Sequence, residues 1–137
     1  MSQTNSIQTQ EQKRAQSALT WIQAQAKAPE PLQEELKSWA SQFPLMIHTN
    51  GIGQACAFFK SRKNVEGARL LYAHLDTWLK SQFADLYKGK TDLMEVIVNC
   101  NQQQYRLLQA ESLAYLQWVK QLSKAYLTGE VTDKGVQ

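Results

Sequence analysis

The sequence predicts an all-α protein, a single-domain compact bundle of about six helices. Three observations favour this class. The 137 residues include only six Gly and three Pro, so long segments run without a backbone breaker. Gln, Ala, Leu and Lys are abundant, and these side chains lose little rotamer freedom in a helix. Apolar residues recur at helical spacing, whereas the β-branched run Val96-Ile97-Val98 has no second strand with which to pair.

Prolines delimit the first two predicted helices. The first begins near Glu11 and stops before the triplet Pro29-Glu30-Pro31. The second begins at Pro31, because proline fits a first helical turn, where its missing N–H costs nothing. Pro44 follows its apolar stripe and predicts a kink or a short break. Asn50-Gly51 ends this segment, since glycine readily adopts the positive φ of a helix C-terminus.

Three further helices follow before the last one. The third covers about residues 54–62, which are apolar and then abruptly basic. Asn64 is the expected N-cap of the fourth, which runs to about Tyr87. Thr91 is the expected cap of a short fifth helix over residues 92–99.

The last helix is the longest. It opens where Asn101 and Gln104 resemble a capping box. Apolar residues cover much of its girth, so we expect it to lie centrally in the bundle or to share a surface with a partner. Glu111 lies within it, and a buried carboxylate needs a cation or hydrogen-bond donors. Arg106 and Lys120 are the candidate partners.

The length is that of one domain. Residues 1–10 predict a disordered N-terminal tail, residues 11–128 a helical bundle, and residues 129–137 a flexible C-terminal tail. No apolar leader opens the sequence, and no stretch approaches the roughly 18 apolar residues of a membrane span. We therefore expect a cytoplasmic protein without a membrane partner, in which Cys56 and Cys100 are reduced.

We expect no enzyme activity, no metal and no cofactor, because no known catalytic or metal-ligand spacing occurs. His48, next to Thr49-Asn50, is the one candidate base, but no nucleophile is paired with it. A helix-end histidine bonded to backbone carbonyls is the favoured interpretation. His74 is expected at the surface or its boundary, and Cys56 and Cys100 as small buried hydrophobes.

The stretch Gly51-Ile52-Gly53-Gln54 invites comparison with a phosphate-binding loop. It lacks the third glycine, the Lys-Ser/Thr pair and the preceding strand that such loops need. The N-terminus of the following helix still presents free N–H groups, which can meet a phosphate. A plain turn between helices is the favoured interpretation.

Positive charge is concentrated in the middle of the chain. Residues 54–90 carry seven Lys/Arg against three acids, whereas residues 1–53 sum to zero and residues 91–137 to −1. Lys and Arg gain free energy beside phosphates through counterion release. No aromatic residue alternates with these cations, so we expect contacts to backbone phosphate without sequence reading. The predicted RNA-binding residues are Lys60, Arg62, Lys63, Arg69, Lys88 and Lys90. A solvated helix face is the alternative interpretation.

Two blocks carry a family likeness. One is Phe43-Pro44-Leu45-Met46-Ile47-His48-Thr49-Asn50-Gly51-Ile52-Gly53-Gln54, continuing through Ala57-Phe58-Phe59-Lys60-Ser61; the other is Tyr105-Arg106-Leu107 with the segment 111–120. With Arg14-Ala15 and Leu71-Tyr72, they resemble the small subunit of the type III-B (Cmr) CRISPR effector complex. The likeness runs from about residue 11 to 127. The first block is fairly specific, whereas the second is more typical of helices in general.

The resemblance implies a compact helical protein without catalytic activity. Copies are expected to stack as an inner filament beside the backbone subunits, near the guide–target RNA duplex, with the large subunit also in the complex. RNA cleavage is expected of a backbone subunit, and cyclic-nucleotide and DNase activities of the large subunit. The motifs do not name the RNA contacts, which rest on charge alone.

Three functional hypotheses remain open at this point. The first is an assembly subunit that contacts the RNA backbone. The second is a purely structural adaptor that makes only protein contacts. The third is a nuclease or hydrolase that uses His48.

Overall fold

The computed structural model describes residues 7–129, which form five α-helices and one 3₁₀ helix. The all-α prediction is confirmed, since no strand lies within this range. There are five helices rather than six, because the second and third predicted helices form one element, α2. Its backbone leaves helical geometry at Gly51, where the sequence placed the end of the second helix. The elements are α1 (Gln10–Gln25), α2 (Glu30–Ser61), α3 (Glu66–Gln82), the 3₁₀ helix (Ala84–Tyr87), α4 (Leu93–Asn99) and α5 (Gln102–Tyr126).

Helix α2 folds back on itself at Gly51. This residue has φ 87° and ψ 159°, a backbone conformation that essentially only glycine adopts. The rings of Phe43 and Phe59 stack with their centroids 3.8 Å apart. A straight helix would place these two positions roughly 24 Å apart. The two arms of α2, residues 30–50 and 52–61, therefore pack against each other.

Of the two alternatives predicted at Pro44, a kink or a short break, the break does not occur. Pro44 is buried within the first arm, and Gly51 is the one residue inside α2 with non-helical dihedral angles. Proline in a helix interior loses a hydrogen bond and crowds the preceding turn, but both defects are compatible with helical φ. Reversal of the chain instead needs a positive φ, which only the glycine seven residues later supplies at low cost.

Helices α4 and α5 each begin at a residue whose side chain accepts a hydrogen bond from a backbone N–H of the first turn. Asn101 and Gln104 form the predicted capping box in full at the start of α5. At α4 the N-cap is Asp92 and not the predicted Thr91. The Asp92 carboxylate accepts a hydrogen bond from Met94 N at 3.1 Å, which satisfies one free N–H of the first turn.

Helix α3 begins and ends differently from the prediction. Its N-cap is Val65 and not Asn64, and no side chain of the cap residue bonds the first turn. Glu35 of α2 takes that role, because its Oε1 accepts from Gly67 N at 2.9 Å. A Cβ on Gly67 would lie 2.8 Å from Glu35 Cβ, so the glycine permits this close approach. The helix stops five residues before the predicted Tyr87, and the 3₁₀ helix continues the segment.

Helices α2 and α5 lie antiparallel, since Gln33 contacts Thr128 while Gly53 contacts Tyr105. Helix α1 packs on α5, and α3 packs on α2. One continuous core is formed by buried side chains from all five helices. Fully buried members include Ile22, Phe43, Phe59, Leu75, Leu93 and Tyr115.

Most of the two predicted tails, residues 1–6 and 130–137, lies outside the described residues. Gly129 is described, and its carbonyl accepts a hydrogen bond from Lys37 Nζ at 2.7 Å. Between residues 7 and 129, none of the helices has the length and apolar character that crossing a membrane requires.

Candidate nucleic-acid interface

Four predicted RNA-binding residues surround the connection between α2 and α3. Lys60 lies in the last turn of α2, Arg62 and Lys63 follow it, and Arg69 lies in the first turns of α3. Lys60 Nζ lies 5.0 Å from the ring centroid of Tyr72, which is one turn beyond Arg69. The packing of the two helices therefore places Lys60 beside the first half of α3, the segment that carries Arg69.

The other two cations lie on the segment between the 3₁₀ helix and α4. Lys88 and Lys90 follow the 3₁₀ helix and precede Asp92, the N-cap of α4. Asp92 Oδ1 lies 3.5 Å from Lys60 Nζ, so the start of α4 meets the end of α2. We call this region the basic end; it comprises Lys60, Arg62, Lys63, Arg69, Lys88 and Lys90.

Lys60 already contacts two side chains of the protein, Asp92 and Tyr72. Besides Lys60, the Asp92 carboxylate is contacted by the Tyr72 hydroxyl, which donates to both of its oxygens at 2.9 Å. Burial and the bond to Asp92 raise the pKa of Tyr72, so the phenol stays protonated and can donate. Lys60 neutralises a carboxylate at a helix start, and this charge is only partly available to an external phosphate.

Arg62 packs on an aromatic ring, and one of its N–H groups has no hydrogen-bond acceptor within the described residues. Its guanidinium lies 4.4 Å from the centroid of the Phe58 ring, a cation–π contact. Its Nε is buried and has no hydrogen-bond partner among residues 7–129. The half-buried side chain is thus held in place by Phe58.

The remaining cations of the basic end are the freest. Lys63, Arg69 and Lys88 are exposed, and Lys90 is half-buried. Lys88 lies 3.5 Å from the exposed Asp85, and such a surface pair holds a side chain only weakly. Cations on flexible, exposed side chains suit phosphate contacts that do not read sequence.

Aromatic rings are closer to these cations than the sequence indicated. In the sequence no aromatic residue alternates with the cations, but in the fold Lys60 lies over the Tyr72 ring and Arg62 over the Phe58 ring. The Phe58 ring also packs near Trp39, with centroids 6.1 Å apart. These rings are occupied within the protein, so they position cations and do not form a stacking platform for bases.

The two blocks that carry the family likeness meet at the fold of α2. Ile52 N donates to Gln109 Oε1 at 2.9 Å, and Gly53 N donates to the Tyr105 hydroxyl at 3.1 Å. A Cβ on Gly51 would lie 3.2 Å from that hydroxyl. The N–H groups of Ile52 and Gly53 are therefore bound by α5, and these two are not available to a phosphate. The turn interpretation of this glycine-rich stretch is correct.

The two histidines have different environments. His48 is exposed on α2, and its ring forms none of the predicted carbonyl bonds within the described chain. His74 is half-buried, as expected of a boundary residue, and stacks on Trp21 with centroids 4.2 Å apart. Its Nε2 lies 2.6 Å from the Tyr115 hydroxyl, which is 2.9 Å from Ser17 Oγ. Burial lowers the pKa of His74 to about 4, so it is neutral at pH 7.

Glu111 has a partner that the sequence did not indicate. Its carboxylate accepts two hydrogen bonds of 2.8 Å from Arg14 of α1 and one of 2.9 Å from Trp78 Nε1 of α3. Burial opposes ionisation of Glu111, but these bonds outweigh it and lower its pKa. The predicted partners Arg106 and Lys120 form no ion pair with it in the described part of the chain. The Arg14-Glu111-Trp78 cluster thus ties three helices together.

The cysteines do not form a site with other ligand residues. Cys56 is fully buried and Cys100 is half-buried, and both thiols are free. Burial raises the pKa of both thiols, which disfavours thiolate chemistry. Over residues 7–129, no group of three His, Cys, Asp or Glu side chains is placed to hold a metal ion.

Comparison with known proteins identifies similarity over almost the whole fold. A family model described as CRISPR-associated protein (Cas_Cmr5) matches residues 10–126. Among solved structures, the chain is similar to the X-ray crystal structure of a CRISPR-associated Cmr5 family protein from Thermus thermophilus. That match has a TM-score of 0.72 at 27% sequence identity, and it covers 88% of this chain and 100% of the other. The resemblance drawn from the two sequence blocks is confirmed.

Proposed function

Because this chain belongs to the CRISPR-associated Cmr5 family, we propose that it is the non-catalytic small subunit of a type III-B CRISPR effector ribonucleoprotein. In antiviral and anti-plasmid defence, copies of the chain stack as an inner filament and bind the backbone and large subunits. The basic end contacts guide and target RNA through backbone phosphates.

The observation that supports the RNA contact is that Lys60, Arg62, Lys63 and Arg69 lie at or next to the connection between α2 and α3. Lys90 lies two residues before Asp92, which pairs with Lys60. Lys63 and Arg69 are exposed at this connection, and Lys88 is exposed after the 3₁₀ helix. Each cation placed beside a phosphate displaces a condensed counterion, and this gain adds up along an RNA backbone. The non-catalytic part of the proposal rests on the family resemblance, which assigns RNA cleavage to a backbone subunit.

Charge reversal at the exposed cations tests the RNA contact. In the double variant Lys63→Glu/Arg69→Glu, we expect a reconstituted complex to retain target RNA about tenfold less well at ~0.1 M salt. Lys60 is unsuitable for this test, because a glutamate there would face Asp92 and disturb the start of α4. Retention is measured by filter binding of labelled target RNA.

The double variant Lys13→Glu/Lys80→Glu is the matched control, since it changes the net charge equally. Both lysines are exposed, and the bond between Gln10 and Gln82 places them near the opposite end of α3 from Arg69. We expect this control to retain RNA like the unmodified protein. Equal retention by both double variants would refute the RNA contact.

The structural adaptor is the second candidate, and one observation favours it. Lys60 and Arg62 are engaged within the protein by Asp92, Tyr72 and Phe58, which reduces the charge free for RNA. For an adaptor, neither double variant changes RNA retention. Substitutions on an exposed apolar surface instead prevent co-purification with the other subunits.

A further inference from the structure

The outer side of the α2–α5 pair is an exposed surface without charged side chains at its centre. From residue 38 to residue 59 there is no Asp, Glu, Lys or Arg, although these types form 20% of the chain. On α5, the one charge between Arg106 and Lys120 is Glu111, and its carboxylate is turned to Arg14. Every exposed position on this part of α2 is therefore uncharged.

The surface is shaped as a groove. Pro44, Leu45 and His48 of α2 face Leu113, Ala114 and Gln117 of α5 across it, with Lys120 at one end. Leu45 is 52% exposed, a large fraction for a leucine in a compact bundle. We call this surface the α2–α5 groove.

Positive charge borders the groove. Arg106 and Lys124 are exposed on α5, and helical periodicity places them on the same side as Gln117. Lys120 completes the border, and α5 contains no acid besides the paired Glu111. The surface is thus apolar and uncharged in the middle and basic at its ends, a composition typical of a protein interface.

We infer that the α2–α5 groove binds an amphipathic helix of another subunit of the complex, with an apolar stripe flanked by acidic residues. The inference rests on the proposed function and specifies the partner surface. Arg106 and Lys120 are fourteen residues apart on α5, or about 21 Å. A partner helix of about four turns spans this distance, with its acidic groups near the two cations.

A second copy of the chain fits this groove less well. Two copies paired through the same face about a two-fold axis at its centre would bring Arg106 of one copy against Lys120 of the other. Like charges at such short range oppose association. An acidic helix instead complements the border, while its apolar stripe covers Leu45 and Leu113.

Substitution of Leu45 tests the groove directly. We expect Leu45→Glu to lower incorporation of the chain into the reconstituted complex at least tenfold, because it places an acid where the apolar stripe docks. The matched control is Val98→Glu on α4, which is 70% exposed and lies outside the groove. Thermal unfolding checks the fold, and both variants should melt within ~3 °C of the unmodified protein. Normal incorporation of Leu45→Glu would overturn the inference.

A photo-crosslinking residue at position 117 identifies the occupant. In the complex with guide RNA, we expect an adduct within an acid-flanked helix of another subunit and none from position 98. An adduct to RNA, an adduct to a second copy of the chain, or the absence of any adduct would each overturn the inference. If the unmodified chain fails to enter the complex, the proposed function fails as well. Normal entry of both the unmodified chain and Leu45→Glu refutes the groove alone.

Discussion

Glu111 shows how one carboxylate can hold together elements that are far apart in sequence. It accepts hydrogen bonds from Arg14, 97 residues away, and from Trp78, 33 residues away. The side chains of Arg14 and Glu111 are only 16% and 11% exposed. A charge in such a position is tolerated only while its partner is present.

Arg14→Met keeps the aliphatic stem and removes the guanidinium. We expect it to lower the free energy of unfolding by about 2 kcal/mol at pH 7, because Glu111 is left ionised and poorly paired. Arg106→Met, on the exposed side of α5, should change it by less than about 0.5 kcal/mol. Urea denaturation measures both values. Similar costs for the two variants would show that the Arg14–Glu111 pair contributes little.

His74 predicts a pH dependence of stability. Its pKa is about 4 in the folded protein and about 6.5 in an unfolded chain, so the unfolded state binds the proton first. Stability is therefore complete above pH 6.5 and falls as the pH drops towards 4, by at most about 3 kcal/mol.

Comparison of two histidine variants isolates this effect. We expect His74→Gln to flatten the decline in unfolding free energy between pH 6.5 and pH 4. His48→Gln, on the exposed side of α2, should leave the decline unchanged. An unaltered pH profile in His74→Gln would mean that other groups cause the acid sensitivity.

Sequence reasoning located Glu111 as a buried acid but assigned it the wrong partner. The partners considered were within α5, where helical spacing permits an estimate of distance. Arg14 lies on another helix, and its position depends on how α1 packs on α5. The apolar pattern shows which face of a helix is buried, but it does not show which residues of another helix meet that face.

At the scale of elements, Gly51 determines the shape of α2. Gly51→Ala must place a Cβ 3.2 Å from the Tyr105 hydroxyl in a backbone conformation that alanine rarely adopts. We expect it to reduce the free energy of unfolding by about 3 kcal/mol. Gly89→Ala is the control: its φ is also positive, at 73°, but nothing lies within 4 Å of the new Cβ. Its expected cost is about 1 kcal/mol.

Chemical denaturation measures the free energy of unfolding of both variants. The difference between the two losses is the extra cost at Gly51. Equal costs would mean that neither the contact with Tyr105 nor the particular φ/ψ values of Gly51 adds to the cost of a positive φ.

Helix starts show which element boundaries a sequence can predict. The capping box of Asn101 and Gln104 is local, and it was predicted correctly. The start of α3 depends on Glu35, 32 residues away, so no local pattern marks it. A short break at Pro44 was one of the two predicted alternatives because proline disfavours helix interiors, but buried Pro44 keeps helical dihedral angles.

At the scale of the whole molecule, the all-α class and the basic character of the central segment were predictable from composition and periodicity. The proximity of Lys60 to the segment that carries Lys90 could not be predicted from the sequence, because it depends on the contact between Asp92 and the end of α2. The α2–α5 groove was also missed, because a run of uncharged residues is typical of a core as well as of an interface. Only the structure distinguishes the exposed Leu45 from its buried neighbours.

The salt dependence of target-RNA binding tests the central claim, phosphate contact by the basic end, most directly. It is measured with complexes that contain either the unmodified chain or Lys63→Ala/Arg69→Ala. If both cations neutralise phosphates, the plot of log affinity against log salt becomes shallower by about 1.4 to 1.8, or ~0.7–0.9 per contact. Parallel plots for the two complexes would contradict the account.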